Sequence, residues 1–520
     1  MRTLLYFLLL FACQVPPLYV FSEEYLTPKW YIGLLAMIVV GLYEVHILAY
    51  RHSVSLGRMR ALSDASLCFI VYECAFSLRH LFGHGSSLII GPFENPAPLA
   101  LHLCMLLPLA WWKCRRSWWR MAIVTAVTLL TIYIVWLTES RAAYIALTLI
   151  ISLYVCKYLF THKGGWGLKG VAIISAITII AMVGVYCSNH KSDSTSGRQF
   201  IAQTTWSLVM EHPIIGHGHG GFHRLYMHRQ AEYFRTHPDG QHAWLADDIT
   251  HPLNEFLYLW VDYGMAGPVL LLMLLVFPIV VFIRHGKTEL AASLIPIIVF
   301  ALLSYPLQYP LVWLAILMAD IMAVHIYLSN SRISTLLRGL FISHARQVMT
   351  LVYVCCLLAL TLTAYSYYWD YQWHSTSRKA LRGYSKEMLP KYRLLSSYFH
   401  DNPYFLYNYM AEQYHASDFT GAIQTSSILQ GKWAGYNLEL LTGDILSHLH
   451  RYPEAIEHYE EAMYMCPVRF APLEGQMNAY IQMGDSVRAD SVARVILGKT
   501  VKVESGAVER IRNEARIIVE

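Results

Sequence analysis

Charged residues are scarce in this chain: they make up 14% of its 520 residues, whereas hydrophobic residues make up 56%. The formal net charge of +5 is modest and unevenly distributed. Such a charge bears on membrane orientation more than on nucleic-acid binding, and nucleic acid is not expected as a partner. The apolar residues instead form runs of about 17–25, the length that crosses a bilayer as a helix. The composition therefore predicts an all-α, polytopic membrane protein.

Motifs that bind metals or form disulfides are also missing. The ten cysteines form no CxxC pair and show no zinc-binding spacing, and most lie in apolar segments, so we expect small buried side chains. The polar stretch 188–255 is rich in histidine, and imidazoles and carboxylates there are conceivable zinc or manganese ligands. Because it lacks HExxH or a similarly constrained pattern, we predict no metal and no cofactor. Its histidines include His212, His217, His219, His223, His228, His237, His242 and His251.

The hydrophobic runs predict about eleven membrane spans. These lie near residues 3–21, 29–48, 61–82, 97–112, 119–137, 142–160, 171–187, 255–283, 290–305, 310–328 and 347–366. The first run also resembles a signal peptide, but we interpret it as a membrane helix because another span follows at once. Basic residues cluster in alternate connections, which the positive-inside rule assigns to the cytoplasm. The opposite face then receives the loop 188–255 and everything after Tyr367.

The segment after Tyr367 has the pattern of a separate helical domain. Small and aromatic residues occur at tetratricopeptide-like offsets: Gly443, Ala455, Tyr459, Ala462 and Pro467. Weaker copies, one with Ala422 and one with Ala489, flank this repeat at a period of about 33–34 residues. A short solenoid of this kind is expected either to bind a peptide or protein partner or only to stabilise its neighbour.

Two domains follow from these patterns. Residues 1–366 are predicted to form a polytopic membrane helical bundle that includes the polar loop 188–255. Residues 367–520 are predicted to form the tetratricopeptide-like (TPR-like) solenoid on the same side of the membrane as that loop.

Three spans that run inward from the loop side begin with polar residues. Asn95, Arg141 and His251 lie in or beside the first turns of these helices, and Asn95, which a proline follows, is predicted to cap its helix. His251 also precedes a proline and is predicted at or near the N-cap. If the helix has begun at His251, Asn254 and Glu255 share its helical face. Helix N-termini carry unsatisfied N–H groups and a partial positive charge. A cluster of them therefore favours an anionic ligand.

Arginine suits such a ligand because its planar, permanently charged group binds phosphate oxygens in pairs. Arg141 lies at the membrane edge, and Arg198 follows the seventh predicted span. We predict that both face a diphosphate held at the interface. The alternatives are that Arg141 reaches the lipid headgroups and that Arg198 is an ordinary solvated loop charge.

Acidic residues in or near spans indicate a different class of function. Intramembrane carboxylates often mark ion or proton paths in transporters. Several of those here lie near helix ends, however, and the sequence shows no paired broken helices or repeated halves. A transporter therefore stays an alternative. The residues are Glu44, Asp64, Glu73, Asp262 and Asp320.

Four segments together resemble the O-antigen ligase and polymerase superfamily of bacterial membrane glycosyltransferases, over about residues 90–330. They are GPFENPAPLA, ESRAAYIAL, SGRQFIAQTTWSLVMEHPIIGHGHGGF and HPLNEFLYLWVDYGMAG, in that order. The first departs from the family at Ala97, where asparagine is common. The resemblance implies a GT-C-like fold and an inverting, metal-independent glycan transfer at the periplasmic face of the inner membrane. The donor would be an undecaprenyl-diphosphate-linked glycan, and the acceptor a hydroxyl of a glycolipid or a protein.

The resemblance also implies roles for particular residues. His251 would act as the general base on the acceptor hydroxyl, while Arg141 and Arg198 would bind the diphosphate and stabilise the leaving group. The expected substrate-binding residues are Asn254, Glu255, Arg224, His217 and Asn95.

Two other functions stay open at this point. A polymerase of O-antigen, capsule or exopolysaccharide would use the same chemistry, although a ligase is preferred. A transporter or membrane scaffold would have no catalytic role for His251. In each case membrane lipids surround the chain, and the TPR-like tail offers a surface for a protein partner, which makes a protein acceptor one of the options.

Overall fold

A computed structural model describes residues 2–18, 26–50, 56–84, 89–113, 117–161, 192–238, 240, 242–329 and 345–520. Throughout these ranges the regular structure is helical, without a strand, which confirms the all-α, membrane-bundle fold class. The chain forms two compact units. The membrane unit comprises Met1–His190, Leu253–Glu255 and Val269–Tyr371, and the loop-and-tail unit comprises Lys191–Pro252, Phe256–Pro268 and Gln372–Glu520. The predicted division into domains 1–366 and 367–520 stays a prediction.

The membrane unit consists of apolar helices. They are α1 (Arg2–Cys13), α2 (Leu26–Tyr50), α3 (Leu56–His84), α4 (Pro96–Ala110), α5 (Trp118–Leu137), α6 (Arg141–Thr161), most of α10 (Ala266–Arg284), α11 (Thr288–Leu303), α12 (Pro310–Ser329) and most of α13 (Ala345–Lys379). Among the described helices, six are long and apolar enough to cross a membrane, and α1, α4 and α11 are shorter apolar helices. The chain is therefore a multi-pass membrane protein.

Helix α4 forms the centre of this unit. Nearly all of its side chains are buried, as expected for a helix that is apolar on every face. It packs against α3 and α11, and α11 also packs against α6. Asn95 caps α4 by accepting a hydrogen bond from the amide of Ala97 at 3.0 Å, and Pro96 takes the first helical position. This cap was predicted from the sequence and is confirmed.

Two predicted spans differ from the observed helices. The helix predicted over 3–21 ends at Cys13, because Pro16 and Pro17 follow and disfavour helical backbone. The span predicted over 255–283 is two helices, α9 (Glu255–Tyr263) and α10, because Gly264 adopts φ +62° between them. The span predicted at 171–187 lies outside the described residues.

The loop-and-tail unit contains the helices of the polar loop and those of the C-terminal segment. They are α7 (Ser192–Glu211), α8 (Gly221–Thr236), most of α9, α14 (Ser385–Phe399), α15 (Pro403–His415), α16 (Phe419–Gln430), α17 (Tyr436–His448), α18 (Tyr452–Met465), α19 (Ala471–Gln482), α20 (Ser486–Gly498) and α21 (Gly506–Val519). Consecutive helices from α15 to α21 pack as neighbours. Their short connecting turns give pairs α15–α16, α17–α18 and α19–α20.

The ring of Tyr459, on α18, packs against both the α17–α18 pair and the α19–α20 pair. A Cβ atom added to Gly443 of α17 or Gly475 of α19 would lie 2.5 Å from that ring, so only glycine allows the helices to approach it this closely. Tyr459 also donates a hydrogen bond to Asp444 at 2.7 Å. The helical tail thus agrees with the sequence pattern, while its assignment to the tetratricopeptide class stays a prediction.

Candidate active site

The imidazole of His251 is held by an aromatic stack in the loop-and-tail unit. It is only 8% exposed and lies 5.0 Å from the ring of Tyr258, with an angle of 26° between the ring planes. Helix α9 begins at Glu255, after Leu253 with φ +55°. The prediction that His251 lies at the N-cap of this helix, with Asn254 and Glu255 on the same helical face, is therefore wrong. A left-handed residue separates His251 from the helix.

Tyr258 also links His251 to a second histidine. Its ring lies 6.0 Å from that of His223. Burial lowers the pKa of His223. The nearby His251 and His219 lower this pKa further, whereas the negative charge of Asp262 raises it. The lowered pKa favours the neutral form of the His223 imidazole. The sequence analysis did not select Tyr258 as a site residue, because a tyrosine in the first turns of an apolar helix does not by itself indicate a functional site.

The glycine-rich turn GHGHGG is bonded to the end of α9. The amides of His217 and Gly218 donate to the carbonyls of Val261 and Asp262 at 2.8 and 2.9 Å. The Asp262 carboxylate accepts hydrogen bonds from the amides of Gly220 and Phe222, at 2.9 and 3.0 Å. These amides form the N-terminus of α8, so the protein's own carboxylate occupies the anion site at this helix end.

The side chains around this turn are bonded to the protein. Arg224 donates to the carbonyl of His217 at 2.9 Å, and the ring of His217 lies 2.9 Å from the carbonyl of Leu208. The ring of His219 lies 2.8 Å from the Tyr263 hydroxyl. Within the part of the chain that the structure describes, no three histidine, cysteine or acidic side chains come together as ligands for a metal ion. The turn is therefore a tightly bonded element of the fold.

The two predicted diphosphate ligands belong to different units. Arg198 is half-buried on α7, in the loop-and-tail unit. Arg141 is half-buried and is the first residue of α6, in the membrane unit, where the sequence placed it. Its backbone position is confirmed. The convergence of Arg141 and Arg198 with His251 stays a prediction.

In the membrane unit, the remaining predicted residues surround one turn, which we call the connecting turn (residues 304–309, between α11 and α12). Asn95 donates to the Tyr305 hydroxyl at 2.8 Å, and its neighbour Glu94 accepts a hydrogen bond from the Tyr309 hydroxyl. Glu255 is buried and accepts from the amide of Leu307 at 2.9 Å.

Asn254 bonds beside the connecting turn. Its amide group donates to the carbonyl of Leu302, in the last turn of α11, at 3.2 Å. Asn95, Asn254 and Glu255, which come from two distant motifs, thus all bond to residues within 302–307. The structure brings these three predicted residues together through the connecting turn.

The polar loop is docked on the C-terminal helices within the loop-and-tail unit. Helix α8 packs on α18. The Gln230 amide donates to the carbonyls of Asp247 and Met465, at 3.0 and 2.7 Å. The Ala434 amide donates to the His223 carbonyl at 2.9 Å. The tail therefore supports the loop that carries His251, whatever else it binds.

Charged contacts add to this docking. Glu461 of α18 binds His228 and Arg235 of α8, at 2.7 and 2.6 Å, while Arg469 binds Asp247 at 2.5 Å. The Glu461 hydrogen bond raises the pKa of His228 more than burial lowers it. This contact is accordingly stronger at mildly acidic pH.

Comparison with known protein families finds a match in the middle of the chain. The family model described as O-antigen ligase matches residues 126–272. This segment contains Arg141, Arg198 and His251 together with the docked loop, whereas Asn95 precedes it. No curated protein matches the chain. Residues 126–272 thus belong to the O-antigen ligase family, a family of glycan-transferring membrane enzymes, as the resemblance of the sequence indicated.

Proposed function

We propose that the protein transfers a glycan from an undecaprenyl-diphosphate carrier to an acceptor hydroxyl at the periplasmic face of the inner membrane. The observation that carries this proposal is the buried His251 imidazole, fixed by Tyr258 inside the segment that matches the O-antigen ligase family. Because the base is already held in one orientation, the reaction does not have to lose conformational entropy to orient it.

In this mechanism His251 accepts the proton of the acceptor hydroxyl as the oxygen attacks the anomeric carbon of the donor sugar. The bond between that carbon and the diphosphate oxygen breaks, and the diphosphate leaves with the bonding electron pair. Attack from the opposite side inverts the configuration at the carbon. Proton transfer by a positioned side chain typically contributes about 10²–10⁴-fold to the rate.

Arg141 and Arg198 bind the diphosphate and offset the charge that grows on it, so no metal ion is needed in this scheme. Arg224 and His217 contribute through the glycine-rich turn, whose backbone their hydrogen bonds hold in place. Asn95, Asn254 and Glu255 act through the connecting turn, which they hold in place for the sugar.

The docked tail favours a supporting role for the C-terminal helices, since it binds the loop through α8. An acceptor or partner protein would then use the rest of the tail surface. A ligase is preferred to a polymerase, and the acceptor is a glycolipid or a protein.

The test is glycan profiling in a strain that lacks the gene, complemented with variants of the full chain. His251→Ala is expected to reduce transfer by about 10²–10⁴-fold with normal protein levels. The matched control is His237→Ala, an exposed histidine of the same loop whose ring stacks on Tyr233. Full transfer by the His251→Ala enzyme would refute the mechanism.

The accumulated product separates ligase from polymerase. Loss of a ligase leaves long chains on the carrier, whereas loss of a polymerase leaves single repeat units. If only truncation of the tail, and no change at His251, abolished the finished glycan, the scaffold alternative would replace catalysis.

A further inference from the structure

Two isoleucines are exposed at the turn between α7 and α8. Ile214 is 73% exposed and Ile215 is 82% exposed. With Pro213 they form what we call the isoleucine tip (residues 213–215). An aliphatic side chain of this size is more stable when it is buried than when it is left in water. Two adjacent isoleucines at the apex of one turn therefore form an apolar surface that gains from being covered.

The backbone of the tip is fixed. The Pro213 carbonyl accepts two hydrogen bonds, from the Trp260 indole at 2.8 Å and from the Met265 amide at 3.0 Å. Gly264 approaches so closely that a Cβ atom there would lie 2.1 Å from the Ile214 carbonyl oxygen. The isoleucines therefore project from a rigid turn, and they cannot fold back without breaking these bonds.

These bonds also set the location of the tip. Met265 directly precedes Ala266, the first residue of α10, which is one of the helices long and apolar enough to cross a membrane. Its 19 residues span roughly 28 Å, the thickness of a bilayer's hydrocarbon core. A turn that is hydrogen-bonded to the residue before this span lies at the end of the span. The end of a membrane-spanning helix is the boundary between water and hydrocarbon.

Aromatic residues beside the tip are those that favour this boundary. Trp206 packs edge-to-face on Trp260 at 5.4 Å, and both Trp206 and Tyr263 are partly exposed. Tryptophan and tyrosine are enriched at the membrane–water interface, where one end of the ring system is apolar and the other is hydrated. The turn itself, from Pro213 to Gly216, carries no charge.

From this geometry we infer that the isoleucine tip inserts into the acyl chains of the bilayer. The occupant of this surface is membrane lipid, because the tip is bonded to the end of a membrane span. Insertion fixes the depth of the glycine-rich turn, which begins one residue after Ile215. The tip is thus a membrane anchor of the polar loop, independent of the chemistry that the loop performs.

The test uses the full chain with a photoreactive benzoylphenylalanine at position 215. The protein is reconstituted in nanodiscs of phosphatidylethanolamine and phosphatidylglycerol, irradiated, and digested for mass spectrometry. The matched control carries the same residue at Val487, an aliphatic position of the tail that is 79% exposed. Leu270, an exposed residue of α10, serves as the lipid-facing reference. Phospholipid adducts at 215 are expected to exceed those at 487 by at least about tenfold and to approach those at 270.

Equal adduct yields at 215 and 487 would overturn the inference, and so would crosslinks from 215 to a protein in place of lipid. A second variant tests whether the contacts that fix the backbone of the tip also set its depth. Gly264→Ala in the 215-labelled chain is expected to reduce adducts at 215 several-fold and leave those at 270 unchanged in a matching 270-labelled chain. An unchanged yield at 215 would show that the bond to Met265 and the close approach of Gly264 do not set the depth of the tip.

Discussion

Glu255 and Asp262, near opposite ends of α9, are two buried carboxylates with similar roles in different units. Glu255 accepts a hydrogen bond from the Leu307 amide in the connecting turn. Asp262 accepts two, from Gly220 and Phe222 at the start of α8. The family resemblance implied a substrate-binding role for Glu255, and Asp262 was one of the acidic residues that kept a transporter open as an alternative. Both side chains accept hydrogen bonds from backbone amides, and buried carboxylates need such donors.

The comparison predicts the largest effect at Asp262. Its replacement by alanine leaves two amides without their acceptor, at a cost of about 2–4 kcal/mol to the local structure. Hydrogen exchange of the Gly220 and Phe222 amides in the full-length protein is expected to accelerate by at least about 30-fold, because each 1.4 kcal/mol is a factor of ten. Asp262→Asn keeps one acceptor oxygen and should give an intermediate effect. Unchanged exchange in the alanine variant would contradict the role assigned to Asp262.

The effect at the Leu307 amide should be smaller, because a single hydrogen bond to the Glu255 carboxylate is lost there. We expect Glu255→Ala to destabilise the connecting turn by about 1–3 kcal/mol, and Glu255→Gln, which keeps an acceptor, to cost less. Exchange of the Leu307 amide measures both. Glycan transfer then separates the two roles of this residue. A glutamine variant with normal exchange and normal transfer supports a positioning role, whereas normal exchange with lost transfer would mean that the charge itself acts on the substrate.

The fold was predictable from the sequence where a feature depends on neighbouring residues, and it was not predictable where the feature depends on distant ones. Local patterns predicted the cap at Asn95 and the helix start at Arg141, since each depends on neighbours along the chain. The break at Gly264 depends on the Ile214 carbonyl, about fifty positions away. The hydrophobic pattern of α9 and α10 carries no information about such a distant contact. The sequence therefore predicts the two helices as one span.

The candidate site was predictable to a similar extent. The motif order located the segment that matches the O-antigen ligase family, including Arg198 and His251. The environment of His251 was not predictable, because it arises from the left-handed Leu253 and from stacking on Tyr258. The clustering of Asn95 and Glu255 at the connecting turn likewise needed tertiary structure.

The smallest predicted effect concerns the contact between His228 and Glu461, a partly exposed counterpart of the two buried carboxylate contacts. Glu461 raises the pKa of His228 above its ordinary value of 6.5. The contact therefore stabilises the docking of α8 fully below that value and loses its charge as the pH rises through the raised pKa. Because the His228 side chain is 45% exposed, solvent screening keeps the contribution below about 1 kcal/mol.

Thermal unfolding of the wild type and of His228→Gln, at pH 5.5 and 8.5, measures this contribution. The variant is expected to unfold about 1–3 °C lower at pH 5.5 and at the same temperature as the wild type at pH 8.5. Arg235→Gln is the matched control, since Arg235 binds the same carboxylate but keeps its charge throughout this range. Its effect should be equal at both pH values. A His228 effect that did not shrink with rising pH would mean that packing, rather than the charge on the imidazole, holds this side of α8 to α18.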